Sequence, residues 1–290
     1  MTAGRSPDTG SLLDWGKKQL KKSGIEDFDF SAEALLRNIL NLSRPGLLLN
    51  PERPVDQNKI DEYKDLISER AKRVPLQYLI GYVEFYNVKI KCDRRALIPR
   101  PETEVLVEIV LEKLKDFKSP KILDIGTGSG NIAIALASNM DTGSVVGVDI
   151  SEDALNLARE NAAENNVQKH TKFLTGDILD GKIIEDLDIF DCVVSNPPYV
   201  AESEKDILQP EVIEYEPRTA LFSSGDPLRF FKVIIGIAPK ILRSHGLMAF
   251  EVGLGQAETV KDLMSSTFTD LYSYRDLSGI ERVIAGTFTG

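Results

Sequence analysis

The length, composition and charge of the chain exclude several classes of protein. Its 290 residues are enough for one large domain or two smaller ones, and 42% hydrophobic with 28% charged residues is ordinary globular usage. Asp and Glu number 45 against 35 Lys and Arg, for a net charge of -10. This acidic balance argues against a protein that binds nucleic acid through charge alone.

Other sequence features predict a cytoplasmic protein without a bound metal. The N-terminus lacks the apolar segment of a signal peptide, and no apolar run approaches the ~18 residues of a membrane helix. Cys92 and Cys192 have no CxxC spacing, which predicts two free, buried thiols in a reducing compartment. Because the only histidines are His170 and His245, we expect no zinc site.

The first part of the chain has helical periodicity. Apolar residues between Leu12 and Arg73 recur at three- and four-residue spacing, which predicts about four helices. Ser31 is placed to act as an N-cap. We therefore predict a small all-α domain over residues 1–75. The period then shifts toward two, which predicts a β-hairpin linker over residues 76–98 that turns near Asn87 or Asp93.

Strand and helix patterns alternate over the remaining residues, 99–290. This alternation predicts an α/β domain with a mostly parallel, doubly wound sheet. The predicted strands are 121–125, 144–150, 171–174, 190–194 and 247–252, and the predicted helices are 131–139, 152–165, 228–242 and 256–265. Two final strands, 272–277 and 281–288, are predicted to form an antiparallel hairpin at the sheet edge.

A glycine-rich loop follows the first predicted strand and precedes a predicted helix. Its sequence is Asp124-Ile125-Gly126-Thr127-Gly128-Ser129-Gly130. Glycines let the backbone approach a ligand closely, and the helix N-terminus offers free N–H groups. The spacing is G-x-G-x-G rather than the G-x-G-x-x-G of dinucleotide-binding proteins, and by itself the motif is a weak signal.

Acidic residues also end the next two predicted strands. Asp149, followed by Ile150, can accept both hydroxyls of a ribose; the alternative is a solvated turn residue or an N-cap. Asp177 can accept from an adenine amino group while Ile178 packs on the ring; the alternative is a plain loop aspartate. Ligands of open α/β sheets bind at the carboxyl ends of the strands. Together the three strand ends predict a cofactor that contains a nucleoside.

The fourth predicted strand runs into Asn196-Pro197-Pro198-Tyr199. The prolines restrict the backbone and remove two N–H donors, so the Asn196 side-chain oxygen and the Pro197 carbonyl remain as acceptors. Two acceptors can orient a planar amide or amine and favour the positive charge that develops on its nitrogen. Tyr199 offers a flat surface against a planar group. The alternative is a rigid turn without chemistry.

At these residues the sequence resembles the class I (Rossmann-like) methyltransferases, and more narrowly the HemK/PrmC protein-glutamine N5-methyltransferases. The resemblance covers nearly the whole chain. Its further motifs are Leu97-Ile98-Pro99-Arg100-Pro101-Glu102-Thr103-Glu104, Gln77-Tyr78-Leu79-Ile80-Gly81 with Glu84-Phe85, Glu216-Pro217 with Ala220-Leu221, Glu251-Val252-Gly253 with Gln256, and Arg275-Asp276 with Arg282. The Asn-Pro-Pro-Tyr loop alone is shared with amino-methylating DNA enzymes.

The resemblance implies a cofactor, a substrate and a set of site residues. The cofactor is S-adenosyl-L-methionine, which leaves as S-adenosyl-L-homocysteine, and the substrate is the glutamine of the Gly-Gly-Gln loop in class I peptide chain release factors. The implied cofactor site contains Asp124, Gly126, Thr127, Gly128, Ser129, Gly130, Asp149, Ile150, Asp177, Ile178 and Asn196. Asn196, Pro197, Pro198 and Tyr199 would hold the glutamine, with Asn196, Pro197 and Tyr199 as the catalytic set.

Some roles and functions stay open at this point. Arg100 and Glu102 have one of two roles: they close over the pocket or anchor the linker, or they form a structural salt bridge. We expect the helical domain to recognise the release factor, and we expect a monomer that binds neither a membrane nor nucleic acid. The alternatives are methylation of a ribosomal protein glutamine, N6-adenine methylation of DNA, and a methyltransferase fold without activity.

Overall fold

The structure, a computed structural model, describes residues 7–223 and 225–290. It divides into two units: one runs to Gly81 and also includes Gln209–Tyr215, and the other comprises Tyr82–Leu208 and Glu216–Gly290. The first unit thus ends at Gly81 rather than at the predicted residue 75. The first six residues of the predicted helical domain lie outside the described part.

The N-terminal unit is helical, as predicted. Its helices are α1 (Thr9–Lys22), α2 (Phe28–Leu40), α3 (Arg44–Leu48), α4 (Gln57–Ala71) and α5 (Leu76–Ile80), and it also contains the later helix α9 (Pro210–Tyr215). The core includes Leu20, Leu35, Leu36, Ile60 and Tyr63, each fully or almost fully buried. The assignment of Ser31 as an N-cap is wrong, because α2 begins at Phe28 and Ser31 lies buried inside it.

A buried arginine explains why α9 belongs to this unit. The Arg70 guanidinium lies 2.9 Å from Asp27 Oδ1 and 3.2 Å from Glu211 Oε1, and its Nε donates to Ser31 Oγ at 3.1 Å. Arg73 binds the other oxygen of Glu211 at 3.0 Å. A buried charge is tolerated when it is paired and hydrogen-bonded. The ion cluster therefore holds α9 against α4.

The predicted hairpin is present, but it is shorter than the predicted linker. Strands β1 (Tyr82–Phe85) and β2 (Val88–Lys91) pair antiparallel, and the turn residues Tyr86 and Asn87 both have positive φ. Such a two-residue turn matches the twist of a hairpin. The prediction of extended structure over residues 76–80 is wrong. These residues form α5, which ends at a left-handed Gly81.

The second unit is an α/β fold, as predicted. Within the described residues a seven-stranded sheet has the order β5-β4-β3-β6-β7-β9-β8. The strands are β3 (Lys121–Ile125), β4 (Ser144–Asp149), β5 (Thr171–Thr175), β6 (Phe190–Ser195), β7 (Leu242–Glu251), β8 (Phe268–Arg275) and β9 (Glu281–Phe288). Strands β3 to β7 pair in parallel, whereas β9 joins β7 and β8 antiparallel. The hairpin at the sheet edge is thus confirmed.

Helices cover both faces of this sheet. They are α6 (Glu104–Leu114), α7 (Asn131–Asn139), α8 (Glu152–Glu164), α10 (Arg218–Leu221), α11 (Arg229–Ile241) and α12 (Ala257–Met264). The sequence interpretation did not predict α6, which packs its buried Leu106 and Val110 in the same core as α7. A second core lies between the sheet and the helices α11 and α12. It contains Phe231 of α11 and Phe250 of β7. None of the described helices is long and apolar enough to cross a membrane.

Two glycines in helices provide a matched test of packing. Gly16 is buried in α1, and a Cβ there would lie 2.8 Å from Cζ of Tyr63; Gly236 in α11 is exposed, with nothing within 4 Å of such a Cβ. We predict that Gly16→Ala destabilises the N-terminal unit by about 1–3 kcal/mol, because Tyr63 must move. Gly236→Ala should instead stabilise the second unit by roughly 0.5–1 kcal/mol through helix propensity.

Urea unfolding measures both effects. The single tryptophan, Trp15, packs edge-on against Tyr63 with ring centroids 6.2 Å apart, so its fluorescence reports the N-terminal unit. Far-UV circular dichroism follows the whole chain. Equal stability of Gly16→Ala and the parent by tryptophan fluorescence would contradict the packing of α1 on α4.

Candidate active site

The site lies where β3 and β6 end side by side. Ile125 and Ser195 are register partners, and the buried Ser195 hydroxyl donates to the Ile125 carbonyl oxygen at 2.7 Å. The strand order reverses between these two strands, and such a point opens a crevice at the carboxyl edge of the sheet. Gly126 and Asn196 follow the two strands directly. The sequence-predicted loops therefore start next to each other.

The glycine loop turns back over the end of β4. The N–H groups of Gly126 and Thr127 both donate to the Val148 carbonyl, at 2.8 and 3.0 Å. Gly130 has φ +79°, and a Cβ there would lie 3.0 Å from the Ala158 Cβ. This position therefore requires glycine both for its left-handed backbone and for the close approach of α8. Helix α7 begins directly after it.

Asp124 lies beneath the loop. It is fully buried, and its Oδ2 accepts from the Thr127 hydroxyl at 2.7 Å. Burial raises the pKa of Asp124 to about 7, opposed by the hydrogen bond from Thr127 and reinforced by the charge of Asp149. Asp124 is not among the residues that line the cavity. In this structure it supports the loop from behind instead of facing the ligand space.

Asp149 has a structural role at the end of β4. Its Oδ2 accepts from Gly128 N at 2.8 Å and its Oδ1 from Ser151 N at 2.9 Å, so it ties the glycine loop to the start of α8. The N-cap itself is Ser151, whose Oγ accepts from Ala154 N. Burial raises the pKa of Asp149, and the backbone N–H groups oppose that rise. Asp149 also lines the cavity.

A cavity of about 240 Å³ opens between these loops. Most of the residues predicted from the sequence line it, namely Gly126, Thr127, Gly128, Ser129, Asp149, Ile150, Asp177, Ile178, Asn196, Pro197, Pro198 and Arg100. Gly130, Tyr199 and Glu102 are not among the lining residues. Further lining residues that sequence reasoning missed are Arg95, Ala96, Leu97, Pro99, Thr103, Phe222, Phe230 and Ile234. The segment from Arg95 to Pro99 was assigned largely to a linker, although its similarity to the family motif was a usable signal.

The lining fits a nucleoside-containing cofactor. The lining includes the carboxylates of Asp149 and Asp177. It also includes the apolar side chains of Ile178, Phe230 and Ile234. In addition, the Asp124 Oδ1 and Ser129 Oγ atoms are buried without a hydrogen-bond partner among the described residues. A few polar groups within an apolar lining suit a ribose and a flat base.

The Asn-Pro-Pro-Tyr loop is held by side chains from three other segments. Asn196 Nδ2 donates to Thr103 Oγ1 at 3.3 Å. The Tyr199 hydroxyl donates to Glu251 Oε1 at 3.4 Å, and Gln256 Nε2 donates to the Tyr199 carbonyl at 3.2 Å. Burial raises the pKa of Tyr199, with Glu251 adding to the rise. Tyr199 therefore anchors the loop, while Asn196, Pro197 and Pro198 face the cavity.

Arg100 forms the salt bridge that was one of its two predicted roles. Its guanidinium lies 2.5 Å from Oε1 of Glu216, whose Oε2 accepts from the Ile98 N–H at 3.0 Å. Glu216 is buried, so this pair holds the segment before α6 in place. Arg100 also lines the cavity. Glu102 lies half-buried in the 3₁₀ turn Pro101–Thr103.

Comparison with solved structures agrees with the fold. The hMettl16 catalytic domain superposes with a TM-score of 0.57 at 17% identity, over 81% of this chain and 83% of that one. A methyltransferase from Pyrococcus furiosus superposes with a TM-score of 0.50 at 16% identity, over 70% and 90%. These likenesses show that the chain has the Rossmann-like fold of the class I methyltransferases.

Family models and curated relatives narrow the class. Residues 11–81 match the PrmC N-terminal domain and residues 102–250 match the methyltransferase small domain. The release factor glutamine methyltransferase of Geobacter sulfurreducens is 40% identical over 278 residues, 95% of each chain. That of Lactococcus lactis is 42% identical over 269 residues, 90% of this chain and 94% of the relative. The chain belongs to the release factor glutamine methyltransferase family, which confirms the resemblance seen in the sequence.

The buried carboxyl of Asp124 makes stability depend on pH. Its pKa is about 7 in the fold against an ordinary 3.8, so the protonated form is favoured by folding. The stability from this group is complete below the ordinary pKa and is lost as pH rises through the folded value. We predict that Asp124→Asn, which cannot ionise, gains stability relative to the parent as pH rises from about 4 to about 7, by at most about 1.4 kcal/mol per pH unit.

Urea unfolding across that pH range checks this prediction. Exposed Asp141 provides a control, since Asp141→Asn removes one carboxylate that is not buried. A difference between the parent and Asp124→Asn that stays constant with pH would contradict the burial of an ionisable carboxyl beneath the loop.

Proposed function

We propose that this enzyme transfers a methyl group from S-adenosyl-L-methionine to the side-chain amide N5 of the glutamine in the Gly-Gly-Gln motif of class I peptide chain release factors. The observation that carries the proposal is the position of Asn196 at the edge of the cofactor cavity, with its Nδ2 engaged by Thr103 and its Oδ1 left for a substrate. The names of the curated relatives support the choice of substrate.

The cofactor would lie along the carboxyl edge of the sheet. The close backbone approach that the glycine loop allows and the N-terminus of α7 suit its charged amino-acid end. The carboxylate of Asp149 suits the ribose hydroxyls, and Asp177 suits the adenine amino group. Ile150, which is 59% exposed, and buried Ile178 offer apolar surface to the base. When bound, S-adenosyl-L-methionine supplies an electrophilic methyl group on a positively charged sulfur.

Asn196 and Pro197 would orient the substrate amide. An amide nitrogen is a poor nucleophile because its lone pair is delocalised into the carbonyl. Acceptors on both of its N–H bonds direct the nitrogen toward the methyl group and favour the positive charge that develops on it. The prolines keep the two acceptors in place without a rearrangement at the moment of reaction. The surplus proton leaves the nitrogen afterwards, so no general base is needed before transfer.

Surface charge favours a protein substrate over DNA. Glu202, Glu204 and Asp206 are exposed on the segment that follows the Asn196 loop. Binding to a phosphate backbone requires Lys and Arg at such a place. N6-adenine methylation is therefore disfavoured. Methylation of a ribosomal protein glutamine uses the same chemistry, and only an assay with both substrates separates it from methylation of a release factor.

The N-terminal unit is proposed to recognise the release factor as a whole. A single glutamine offers little area for selective binding, and this unit exposes Leu48 and Leu49 at 51% and 78%. Exposed apolar neighbours of this kind often mark a protein contact.

Both cysteines, Cys92 and Cys192, are free and buried, which supports action in the reducing cytoplasm. We propose that the enzyme acts there as a monomer.

Replacement of Asn196 tests the proposed chemistry. We expect the parent enzyme to add one methyl group to the Gly-Gly-Gln glutamine of a purified release factor, read by peptide mass spectrometry. Asn196→Ala should lower kcat by about 10²–10³-fold, because it removes an acceptor that acts in the transition state. Cofactor affinity, measured by calorimetry, should fall far less than kcat, because the glycine loop, Asp149 and Asp177 remain. Asn156→Ala, on an exposed position of α8, is the matched control.

The outcome of that assay separates the candidate functions. Methylation of a ribosomal protein but not of the release factor would replace the proposed substrate. Methylation of DNA, with binding that weakens steeply with salt, would replace the class of substrate.

Surface substitutions test the role of the N-terminal unit. Deletion of residues 1–75 is a poor test, because it would leave Glu211 without its partners Arg70 and Arg73. We predict instead that Leu48→Ser with Leu49→Ser raises KM for the whole release factor by about tenfold, or about 1.4 kcal/mol, by removing apolar contact. KM for a short Gly-Gly-Gln peptide should stay unchanged. Equal KM values for the whole factor in variant and parent would remove these leucines from the interface.

A further inference from the structure

A buried carboxylate lies behind the Asn196 loop, and it has no role in the proposed reaction. Glu251 ends β7, the strand next to β6, and is 3% exposed. Its Oε1 accepts from the Tyr199 hydroxyl, and its Oε2 has no hydrogen-bond partner at standard distance among the described residues. Burial of a carboxylate costs free energy unless the charge is paired and hydrogen-bonded. The position of Glu251 therefore calls for an explanation.

Thr103 connects Glu251 to Asn196. Its side chain is buried, its Oγ1 accepts from Asn196 Nδ2 at 3.3 Å, and a hydrogen bond from its hydroxyl lowers the pKa of the Glu251 carboxyl. A threonine hydroxyl has one proton and can donate only once. An ionised carboxylate can only accept hydrogen bonds, so the Thr103 hydroxyl donates its single hydrogen bond to Glu251. Thr103 is then left as an acceptor toward Asn196.

This polarity determines which way the Asn196 amide is turned. An acceptor at Thr103 binds the NH₂ group of Asn196, and the amide oxygen then faces away from Thr103. If Thr103 donated to Asn196 instead, the amide would turn over and present NH₂ to the substrate. Two facing NH₂ groups cannot hydrogen-bond. Correct orientation thus requires a negative charge at the far end of the chain of hydrogen bonds.

We propose, resting on the proposed function, that Glu251 is a positioning residue whose negative charge, relayed by the Thr103 hydroxyl, keeps the Asn196 oxygen turned toward the substrate amide. Glu251 does not touch the substrate in this scheme. Thr103 and Tyr199 transmit its charge to two ends of the same loop. The scheme accounts for a buried acid, a buried threonine and an anchored tyrosine with one arrangement.

The groups around Glu251 determine its pKa and therefore the pH range in which it is ionised. Tyr199 donates to it, Arg282 on the neighbouring strand β9 favours the ionised form, and Glu102 in the 3₁₀ turn disfavours it. Burial is the largest effect and raises the pKa of Glu251 to about 7. Below that value the carboxyl is protonated and can itself donate to Thr103, which frees Thr103 to donate to Asn196. The rate of transfer should therefore fall as pH drops through about 7.

Nuclear magnetic resonance tests the relay without any substrate. In ¹⁵N-labelled protein the side-chain NH₂ signal of Asn196, assigned by its loss in Asn196→Ala, should shift with pH around a midpoint near the pKa of Glu251, about 7. Glu251→Gln should abolish this titration. The NH₂ signal of exposed Asn156 serves as an internal control. An Asn196 signal that titrates identically in Glu251→Gln would overturn the proposal.

Kinetics supply the second test and use a variant of nearly unchanged shape. Thr103→Val removes the hydroxyl and should lower kcat at least about tenfold, but by less than Asn196→Ala, with cofactor affinity retained. Thr103→Ser should restore most of the rate. Glu251→Gln should lower kcat and remove the fall in rate near neutral pH. Parent-like kcat in Thr103→Val would overturn the relay.

The two proposals can fail separately. A titrating Asn196 signal without methylation of the release factor would refute the substrate and leave the relay standing. Methylation of the release factor, together with a parent-like kcat in Thr103→Val, would support the substrate and refute the relay.

Discussion

Strands β3 and β6 pair in parallel at the point where the strand order of the sheet reverses, and the buried Ser195 hydroxyl ties their carboxyl ends together at 2.7 Å from Ile125. Every functional loop depends on this pairing. Gly126 follows one strand and Asn196 follows the other, so the glycine loop and the Asn196 loop begin at adjacent points. A shift of register by one residue would point the side chains of β6 to the opposite face. The distance between these two loops is thus set by the sheet.

Buried carboxylates hold the loops in place around this pair of strands. Asp124 accepts from Thr127, Asp149 accepts from Gly128 and Ser151, and Glu216 accepts from Ile98 and Arg100. Each acid loses hydration when it is buried, and each regains part of that free energy from hydrogen bonds to loop atoms. Loops fixed in this way need little rearrangement during the reaction. Such preorganisation is where polar active sites obtain much of their rate.

The sequence predicted the parts of the fold that follow from local patterns. The strand that ends at Ile125 and the helix that begins at Asn131 have the predicted bounds, because apolar runs and the glycine loop mark both ends. Helix α6 was not predicted, although it begins at Glu104, the last residue of the Pro-Glu-Thr-Glu segment. Residues 76–80 form a helix because Gly81 caps it, and a two-residue period over the hairpin concealed this. Ser31 looked like a cap because local sequence does not reveal burial beside Arg70.

Some residues of the candidate site could likewise be predicted from the sequence, and others could not. Loop residues such as Asp149 and Asn196 could be predicted because motifs at strand ends carry their own chemistry. Thr103 and Glu251 could not be assigned roles, since each is distant in sequence from the Asn196 loop and contacts it only in the fold, Thr103 through Asn196 and Glu251 through Tyr199. Tyr199 was predicted to face the substrate, whereas its hydroxyl is bound to Glu251 in the fold. Roles that depend on the contacts between segments required the structure.

One structure determination tests the central claim most directly: a crystal structure of the enzyme with S-adenosyl-L-homocysteine and a peptide that contains Gly-Gly-Gln. We expect the glutamine Nε2 to lie within hydrogen-bond distance, roughly 2.7–3.2 Å, of both Asn196 Oδ1 and the Pro197 carbonyl oxygen. The same nitrogen should point at the sulfur of the product across the cavity. A glutamine bound elsewhere, or an Asn196 that offers its NH₂ group to the substrate, would contradict the proposed orientation of the substrate amide.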